Sequence, residues 1–307
     1  MTVVHSASEL KPAGRKVCLA IGFFDGVHLG HQQLLRQTIS DARKFDALSL
    51  VVTFDRHPNT VVAPQRVPPL IYSLPQKLRV LGSLGCDSLL VIHFDRLFSE
   101  KTGDSFVREL VSDLGQVQSL CVGSAFTFGH KRGGNVALLK SLGEELGFAV
   151  HGMAAVSLDG KVVSSTRIRE TIRNGELDSV NQMLGRTYSF AGIVRQGDQL
   201  GRQLGFPTAN LDADGLALPP NGVYFVRAMV QGKEHRAVVN IGRRPTLQIP
   251  TPTLRVEVHL LDFYGDLYGE ELEIAFLDKL RGEQRFDSLE ALKQGIAEDI
   301  AKARERK

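Results

Sequence analysis

The sequence predicts two successive domains: an α/β domain built on a parallel sheet, then an antiparallel β-barrel domain that ends in a helix. Two observations lead to this prediction. In the first half, short apolar runs alternate with segments whose apolar residues recur every three or four positions, whereas in the second half apolar and polar residues alternate one by one. A chain of 307 residues that is 43% hydrophobic can build a core in each of two domains.

Four apolar runs in the first half predict β-strands, at 17–21, 47–54, 88–94 and 119–123. Stripes at helical spacing predict helices around 35–45, 74–81, 106–114 and 138–146. Such an alternation is typical of a parallel sheet that is covered on both faces. Ligands of these sheets bind beyond the carboxyl ends of the strands, so we expect chemistry in the loop after the first strand.

The second half predicts strands at 254–260 and 271–276, and a hairpin that joins 223–230 to 234–241 through a turn containing Gly232. This pattern favours an antiparallel barrel. Gly185 follows a short helical segment, 178–184, as a helix-terminating glycine does, and marks the predicted boundary between domains 1–184 and 185–307.

A helix closes the chain. Asp287 is its predicted N-cap because Glu290 follows three residues later. Its predicted buried stripe consists of Leu289, Leu292, Ile296 and Ile300.

Composition excludes several classes of protein. The 37 basic and 34 acidic residues leave a net charge of +3, too small for a dedicated nucleic-acid binder. No apolar run is long enough to span a bilayer, and the first residues lack the pattern of a secretory signal. The three cysteines are widely spaced, which argues against a disulfide framework and a zinc module. We therefore expect a soluble cytoplasmic enzyme without nucleic-acid or membrane partners.

The strongest local motif is the histidine loop, Gly22–His31, which follows the first predicted strand and opens the first predicted helix. A helix N-terminus attracts anions, and glycines at 26 and 30 would let phosphate approach the main chain. His28 and His31 can donate hydrogen bonds to a pentacoordinate α-phosphorus and its leaving pyrophosphate. The candidate ATP-binding residues of this loop are Gly22, Phe24, Asp25, Gly26, His28, Gly30 and His31.

A second candidate anion site is the serine–threonine segment, Val163–Arg169. Ser164, Ser165 and Thr166 are good N-cap residues for a following helix. Arg167 and Arg169 could neutralise phosphate oxygens.

The second half contains a glycine–threonine loop, Gly201–Asn210. Its glycines suit a loop that wraps phosphate, Thr208 offers a hydroxyl to a magnesium ion, and Asn210 offers an amide beside it. The candidate ATP- and phosphate-binding residues are Gly201, Arg202, Gly205, Pro207, Thr208 and Asn210. Glu257 projects from the polar side of its predicted strand.

The two first-half motifs resemble those of the nucleotidylyltransferase superfamily. His28, Gly30 and His31 match its His-x-Gly-His signature, and Ser164–Thr166 with Arg169 match its late Ser-Ser-Thr-x-x-Arg motif. The resemblance implies that a substrate phosphate attacks the α-phosphorus of a nucleoside triphosphate without a covalent enzyme intermediate.

From residue 16 to the final helix, the chain resembles the bacterial bifunctional riboflavin kinase/FAD synthetases. The matching second-half segments are 205–210, 240–246, 257–263, 266–269 and 280–283. The resemblance implies a Rossmann-like nucleotidylyltransferase domain, then a six-stranded antiparallel barrel with a terminal helix.

The resemblance also implies two reactions. Riboflavin and ATP give FMN and ADP, then FMN and ATP give FAD and pyrophosphate, with Mg²⁺ serving both transfers. By resemblance, Glu257 is the base for the ribityl 5′-hydroxyl, and Thr208 and Asn210 hold magnesium and ATP. Arg281 and Phe126 are the implied flavin contacts.

Three departures from the family pattern keep alternatives open. Ser124 and Ala125 stand where the family has an acidic residue followed by Asp or Asn, Asn135 stands where it has Asp, and Asp55-Arg56 replaces Glu-Pro. The alternatives are a riboflavin kinase with weak or absent adenylylation, a nucleotidyltransferase for another phosphorylated metabolite, and a non-catalytic flavin-binding protein.

Overall fold

A computed structural model describes residues 1–10, 14–197, 200–243 and 254–306. The chain divides into two compact units. Unit 1 comprises Met1–Pro69 and Leu74–Arg167, and unit 2 comprises Leu70–Ser73 and Ile168–Lys307. Residues 244–246 of the family-matching segment 240–246 lie outside the described residues.

Unit 1 contains a parallel sheet of six strands in the order β1-β4-β3-β2-β5-β6. The strands are β1 (Thr2–Val4), β2 (Val17–Ile21), β3 (Leu48–Phe54), β4 (Ser88–Ile92), β5 (Val117–Gly123) and β6 (Ala149–Met153). The four predicted strands are confirmed, and the prediction missed the two edge strands. Neither edge strand has the apolar run on which the prediction depended, since β1 has three residues and β6 contains His151 and Gly152.

Helices cover both faces of this sheet, as predicted. The longer helices of unit 1 are α1 (Leu29–Lys44), α2 (Leu74–Ser83), α3 (Gly103–Leu114) and α4 (Val136–Leu146). Successive residues of β2 point to opposite faces, so Leu19 and Ile21 join the core beneath α3 and α4, whereas Ala20 joins the core beneath α1 and α2. Helical turns also occur at Ala7–Glu9, Asp25–Val27, Asn59–Val62, Pro64–Arg66, Arg96–Ser99 and His130–Arg132.

The strand order fixes where a ligand can bind. The chain leaves β2 and reaches β3 on one side, whereas β5 lies on the other side of β2. This reversal of direction opens a crevice at the carboxyl ends of β2 and β5. The histidine loop follows β2 at that position.

Unit 2 contains a closed antiparallel barrel in the order β7-β8-β11-β10-β9-β12. Its strands are β7 (Ser189–Arg195), β8 (Ala209–Leu211), β9 (Gly222–Val230), β10 (Lys233–Arg243), β11 (Leu254–Leu260) and β12 (Glu271–Gly282). The hairpin between β9 and β10 is confirmed, and Gln231 and Gly232 at its turn have φ of 47° and 79°. Tyr188, Tyr224 and Phe276 pack their rings together in the interior.

Unit 2 also contains three longer helices, α5 (Ser165–Asn174), which begins in unit 1, α6 (Leu177–Leu184) and α7 (Leu289–Glu305), and a short one at Leu200–Gln203. Gly185 terminates α6 with φ of 69°, as predicted. Because the units divide between Arg167 and Ile168, α6 belongs to unit 2. The functional boundary at Gly185 stays a prediction. No helix among the described residues is both long and apolar enough to cross a membrane.

The predicted N-cap and buried stripe of the final helix are wrong. Ser288, not Asp287, caps α7, because its Oγ accepts a hydrogen bond from the Ala291 N–H at 3.1 Å. Leu289 is 57% exposed, and the fully buried residues of the helix are Asp299 and Ala303. The helix therefore lies on the barrel with a narrower and more polar face than its leucines and isoleucines suggest.

An ion pair anchors α7 to the barrel. The Arg281 guanidinium on β12 donates to both carboxylate oxygens of Asp299, at 2.8–3.1 Å, and the Asp299 side chain is 4% exposed. The Phe286 ring packs against the same guanidinium, with its centroid 5.5 Å from the central carbon. Two exposed pairs, Arg306–Asp278 and Arg304–Asp262, lie nearer the C-terminus of the helix.

We expect Asp299→Asn to lower the free energy of unfolding by about 3 kcal/mol, because it leaves the partly buried Arg281 charge without its counterion. Urea unfolding at pH 7 measures the change. The matched control is Asp278→Asn, which breaks the solvent-exposed pair with Arg306 and should cost about 0–1 kcal/mol. Equal losses from the two variants would contradict a special role for the Arg281–Asp299 pair.

Candidate active sites

The turn between β2 and α1 is strained. Phe24, Gly26 and Val27 all have positive φ, at 56°, 76° and 42°. This conformation is unfavourable for a β-branched residue such as Val27. Strain of this kind persists only where surrounding contacts enforce it, and it is common at functional sites.

His28 and His31 form one stacked pair at the start of α1. Nδ1 of His28 accepts a hydrogen bond from the His31 N–H at 3.4 Å, which caps the helix. The two rings stack with centroids 3.6 Å apart, and the Phe24 ring meets His31 edge-on at 5.2 Å. Because Nδ1 of His28 acts as an acceptor, a neutral His28 carries its proton on Nε2.

Gly30 has a packing role that the sequence did not suggest. A Cβ added at Gly30 would lie 3.2 Å from Cε1 of His28, so the missing side chain makes room for the capping imidazole. The phosphate approach predicted for Gly26 and Gly30 stays a prediction.

The structure brings the serine–threonine segment to the histidine loop. Ser165 Oγ donates a hydrogen bond of 2.9 Å to the Asp25 carbonyl, 140 positions earlier in the chain. Ser164 caps α5, because its Oγ accepts from the Arg167 N–H at 3.2 Å. Thr166 is exposed in the first turn of the helix. Two motifs that are remote in sequence therefore meet at the carboxyl edge of the sheet.

The two arginines of this segment have different environments. Nη1 of Arg167 donates to the carbonyls of Leu158 and Lys161, in the hairpin of strands Ser157–Leu158 and Lys161–Val162. This guanidinium holds the hairpin, which does not support the predicted phosphate role of Arg167. Arg169 lies in the next turn of α5, past the division between the units, and is 7% exposed.

The positions that depart from the family pattern follow β5. Ser124 and Ala125 are exposed in a turn closed by the bond from the Phe126 N–H to the Gly123 carbonyl, at 2.9 Å. Asn135 caps α4 by accepting from the Leu138 N–H at 3.0 Å, a role that Asn and Asp perform equally well. Phe126 stacks on Phe128 at 5.3 Å, and the latter lies in a two-residue strand, Thr127–Phe128, that pairs with Gly134–Asn135.

Asp55, in the Asp-Arg that replaces the family's Glu-Pro, forms a small polar network at the end of β3. Its carboxylate accepts from the Phe94 N–H at 3.0 Å and from Arg56 at 3.1 Å, and His93 Nδ1 lies 2.7 Å away. Burial alone would raise the pKa of Asp55, but the hydrogen bonds from Phe94, His93 and Arg56 outweigh it and hold the pKa below its usual value.

Lys77 on α2 is a polar residue at this edge that sequence reasoning missed. The side chain is buried, and Nζ donates to the carbonyls of Phe23 and Phe54 at 3.1 and 2.9 Å and to Thr53 Oγ1 at 3.2 Å. One ammonium thereby joins the start of the histidine loop to the end of β3. A lysine on the apolar side of a helical stripe was the available signal.

In unit 2, strand register brings the predicted kinase residues together. Asn210 on β8 pairs directly with Glu257 on β11, and on its other side Glu257 pairs with Asn240 on β10. Directly opposed residues project from the same face of a sheet. Glu257 is 33% exposed, between the buried Val256 and Val258.

The glycine–threonine loop packs tightly beside these strands. A Cβ at Gly201 would lie 2.5 Å from the Phe206 carbonyl and 3.1 Å from Thr208 Oγ1. His259, two residues after Glu257 and missed as a site residue, has Nδ1 2.8 Å from the Pro207 carbonyl. The loop is therefore fixed to the strand that carries Glu257. Arg202 and Gly205 are exposed, the latter with φ of 91°.

A cavity of about 470 Å³ lies beside Asn210. Two arginines that sequence reasoning missed, Arg195 and Arg255, contribute to its lining. Gly197 lines it as well, and a Cβ there would lie 2.2 Å from Nδ2 of Asn210. The cavity thus combines positive charge with an amide and a nearby carboxylate, as a phosphate ester with a metal counterion requires.

Among the described residues, Asp41, Cys121 and His151 bring three ligand-type atoms within 4.8 Å of one another. Their contacts are those of a hydrogen-bonded cluster. The Asp41 carboxylate lies 3.0 Å from His151 Nε2 and accepts from Ser119 Oγ at 2.8 Å. Burial raises the pKa of the Cys121 thiol to about 12, so the thiol stays protonated at neutral pH.

Comparison with known proteins identifies both units. Residues 10–167 match the family model for FAD synthetase, and residues 184–307 match that for riboflavin kinase. The chain is 40% identical to a bifunctional riboflavin kinase/FMN adenylyltransferase of Pseudomonas fluorescens, covering 99% of this chain and 97% of the relative. It is 37% identical to the protein of that name from Escherichia coli K12, with the same coverage.

A crystal structure described as a macrolide-efflux protein from Streptococcus pneumoniae matches 99% of both chains, with a TM-score of 0.84 and 28% identity. The sequence comparisons agree with the two sites described above. The α/β unit belongs to the FAD synthetases and the barrel to the riboflavin kinases. The chain as a whole therefore belongs to the bifunctional riboflavin kinase/FMN adenylyltransferase family.

We expect Asp55→Asn to lower the free energy of unfolding by about 1–2 kcal/mol at pH 7, because charged hydrogen bonds are lost. A lowered folded-state pKa stabilises the fold above the carboxyl group's unfolded pKa, near 3.9, and this contribution disappears as the pH falls through the folded value. The difference between wild type and variant should therefore shrink below about pH 4. Urea unfolding from pH 7 to pH 3 measures it.

The control for this prediction is Asp113→Asn, at an exposed position on α3. Its effect should stay within about 0.5 kcal/mol at every pH. A deficit of Asp55→Asn that is independent of pH would show that lost packing, not lost charge, causes the change.

Proposed function

We propose that this chain converts riboflavin to FAD in two ATP-dependent steps, one in each unit. Riboflavin and ATP give FMN and ADP in the barrel, and FMN and ATP then give FAD and pyrophosphate in the α/β unit. The observation that carries the proposal is that each family-matched unit gathers its polar motif residues at one place. In unit 1 the place is the Ser165–Asp25 contact, and in unit 2 it is the Asn210–Glu257 register.

In the first step, Glu257 accepts the proton of the ribityl 5′-hydroxyl as its oxygen attacks the γ-phosphorus of ATP. The bond from the γ-phosphorus to the β,γ-bridging oxygen breaks, and ADP leaves. Partial exposure of Glu257 on the polar side of β11 leaves the carboxylate accessible to substrate. Arg195 and Arg255 supply positive charge at the cavity for the transferring phosphate.

Magnesium binds at Thr208 and Asn210 in this proposal. A hydroxyl, an amide oxygen and the nearby Glu257 carboxylate form the oxygen donor set that Mg²⁺ prefers. The close approaches of Gly201 to Thr208 and of Gly197 to Asn210 hold these two side chains in place. The ion would neutralise triphosphate charge in the transfer.

In the second step, a phosphate oxygen of FMN attacks the α-phosphorus of ATP, and the bond to the α,β-bridging oxygen breaks to release pyrophosphate. His28 and His31 donate hydrogen bonds to the charge that develops there, from the positive end of α1. Gly22, Phe24, Asp25, Gly26 and Gly30 shape the loop that receives the triphosphate. Ser164, Ser165, Thr166 and Arg169 contribute the second part of the site.

Phe126 provides an aromatic wall for the flavin in the α/β unit, where it already stacks on Phe128. In the barrel, the flavin contact proposed for Arg281 must coexist with the ion pair to Asp299. The three buried free thiols, Cys18, Cys86 and Cys121, fit a reducing cytoplasm, where we place the enzyme.

Ala125 supports a second candidate function, a riboflavin kinase with weak adenylylation, because this exposed position presents no polar side chain. One incubation with riboflavin, ATP and Mg²⁺, followed by chromatography, distinguishes the candidates. We expect FMN first and FAD later. FMN alone would support the second candidate, and neither product would contradict both.

We expect Glu257→Gln to lower FMN formation about 100-fold or more, because the variant keeps the shape of the side chain but loses the general base. FAD formation from supplied FMN should not change. The control is Glu234→Gln on β10, an exposed barrel carboxylate near Arg227 at 3.6 Å. Parental FMN formation by Glu257→Gln would show that Glu257 is not the base.

We expect His28→Ala combined with His31→Ala to abolish FAD formation and to leave FMN formation nearly intact. Loss of one donor aimed at transition-state charge costs about 100- to 1000-fold, and two should cost more. Both products are measured with the same purified protein, and exposed His5→Ala is the control. Equal loss of FMN and FAD would indicate one shared nucleotide site, and unchanged FAD formation would make the histidine pair purely structural.

A further inference from the structure

We propose that Lys77 is a positioning residue for FMN adenylylation, whose buried ammonium holds the start of the histidine loop against the end of β3. The inference rests on the adenylylation proposed above for unit 1.

The first argument is geometric. All three N–H donors of the ammonium have an acceptor, two of them main-chain carbonyls: Phe23 at 3.1 Å and Phe54 at 2.9 Å. The third acceptor, Thr53 Oγ1, itself donates to the Phe23 carbonyl at 3.1 Å. The Phe23 carbonyl is thus fixed from two sides, directly before Phe24, the first residue of the turn with positive φ.

The second argument concerns the aromatic side of the same turn. Nζ of Lys77 lies 4.3 Å from the centroid of the Phe23 ring, and that ring meets His57 edge-on at 5.0 Å. The cation therefore contacts both the carbonyl and the side chain of Phe23. Loss of the cation would free this residue at both positions.

The third argument concerns charge. Burial is the largest influence on Lys77 and lowers its pKa to about 8, whereas the carboxylates of Asp25 in the loop and Asp55 at the end of β3 oppose this shift. Asp55 is shared with Arg56 and His93. Above about pH 8 the amine keeps two protons for three acceptors, so the clamp on Phe23 and Phe54 loosens within an accessible pH range.

The clamp lies close to the reacting groups in sequence and space. Phe23 is five residues before His28, and the turn between them carries the Asp25 carbonyl that accepts from Ser165. Small displacements of catalytic groups cost about 100-fold in rate, so a relaxed turn should reduce turnover more than nucleotide binding.

The test compares FAD formation from supplied FMN, as kcat and kcat/KM between pH 6.5 and 9.5, in the full chain. For wild type we expect kcat/KM to fall about tenfold per pH unit above roughly pH 8. Lys77→Met should lower kcat at pH 7.5 about 10- to 100-fold and change KM for ATP less than threefold. FMN formation from riboflavin should stay within twofold of wild type.

A second variant keeps the proposal testable if Lys77→Met does not fold. Thr53→Val removes one hydrogen bond to the ammonium and nearly preserves volume. Loss of a bond to the charged form lowers the pKa of Lys77, so the alkaline decline of FAD formation should move to lower pH. The matched control is Lys44→Met, an exposed lysine of α1, which should keep both the wild-type rate and the wild-type pH profile.

The proposal is overturned if folded Lys77→Met forms FAD within threefold of wild type, or if Thr53→Val leaves the alkaline decline where wild type has it. Absence of FAD formation by wild type itself would instead contradict the proposed adenylylation. The two failures are thereby distinguished.

Discussion

The site in the α/β unit depends on one constraint, the enforced turn between β2 and α1. Phe24 and Val27 adopt positive φ, which the chain alone does not favour. Contacts from three other segments surround the turn: Lys77 from α2, Thr53 from β3 and Ser165 from α5. The stacked histidines stand in their present place because these contacts outweigh the local preference of the chain.

The barrel achieves the same end by a different physical route. Its chemistry-bearing residues lie on regular strands, where antiparallel register alone places Asn210 and Asn240 on either side of Glu257. Only the preceding loop needs additional support, which comes from His259 on the strand that carries Glu257. An error in register by one residue would turn Glu257 into the core, so the alternating apolar residues of β11 protect the site as well as the fold.

Sequence periodicity predicted the fold to the extent that strands and helices carried a clear apolar pattern. The four central strands of the sheet and the hairpin of the barrel did, whereas β1, β6 and β8 are short or polar and depend on neighbouring strands for their pairing. The motif residues of the sites were found for a similar reason, since glycines, histidines and hydroxyls cluster locally. Lys77 and His259 were missed because their roles arise from contacts between remote segments.

The departures from the family pattern have different physical consequences. Asn135 preserves the N-cap of α4, so the position keeps its structural role without its charge. Ala125 removes a polar side chain, but the turn that contains it stays fixed by the bond from the Ser124 N–H to the Met153 carbonyl, at 2.8 Å, and by its own closing bond. That segment therefore presents the Ser124 hydroxyl and main-chain groups at the end of β5. Recognition of a nucleotide there rests on backbone geometry, which a side-chain substitution leaves in place.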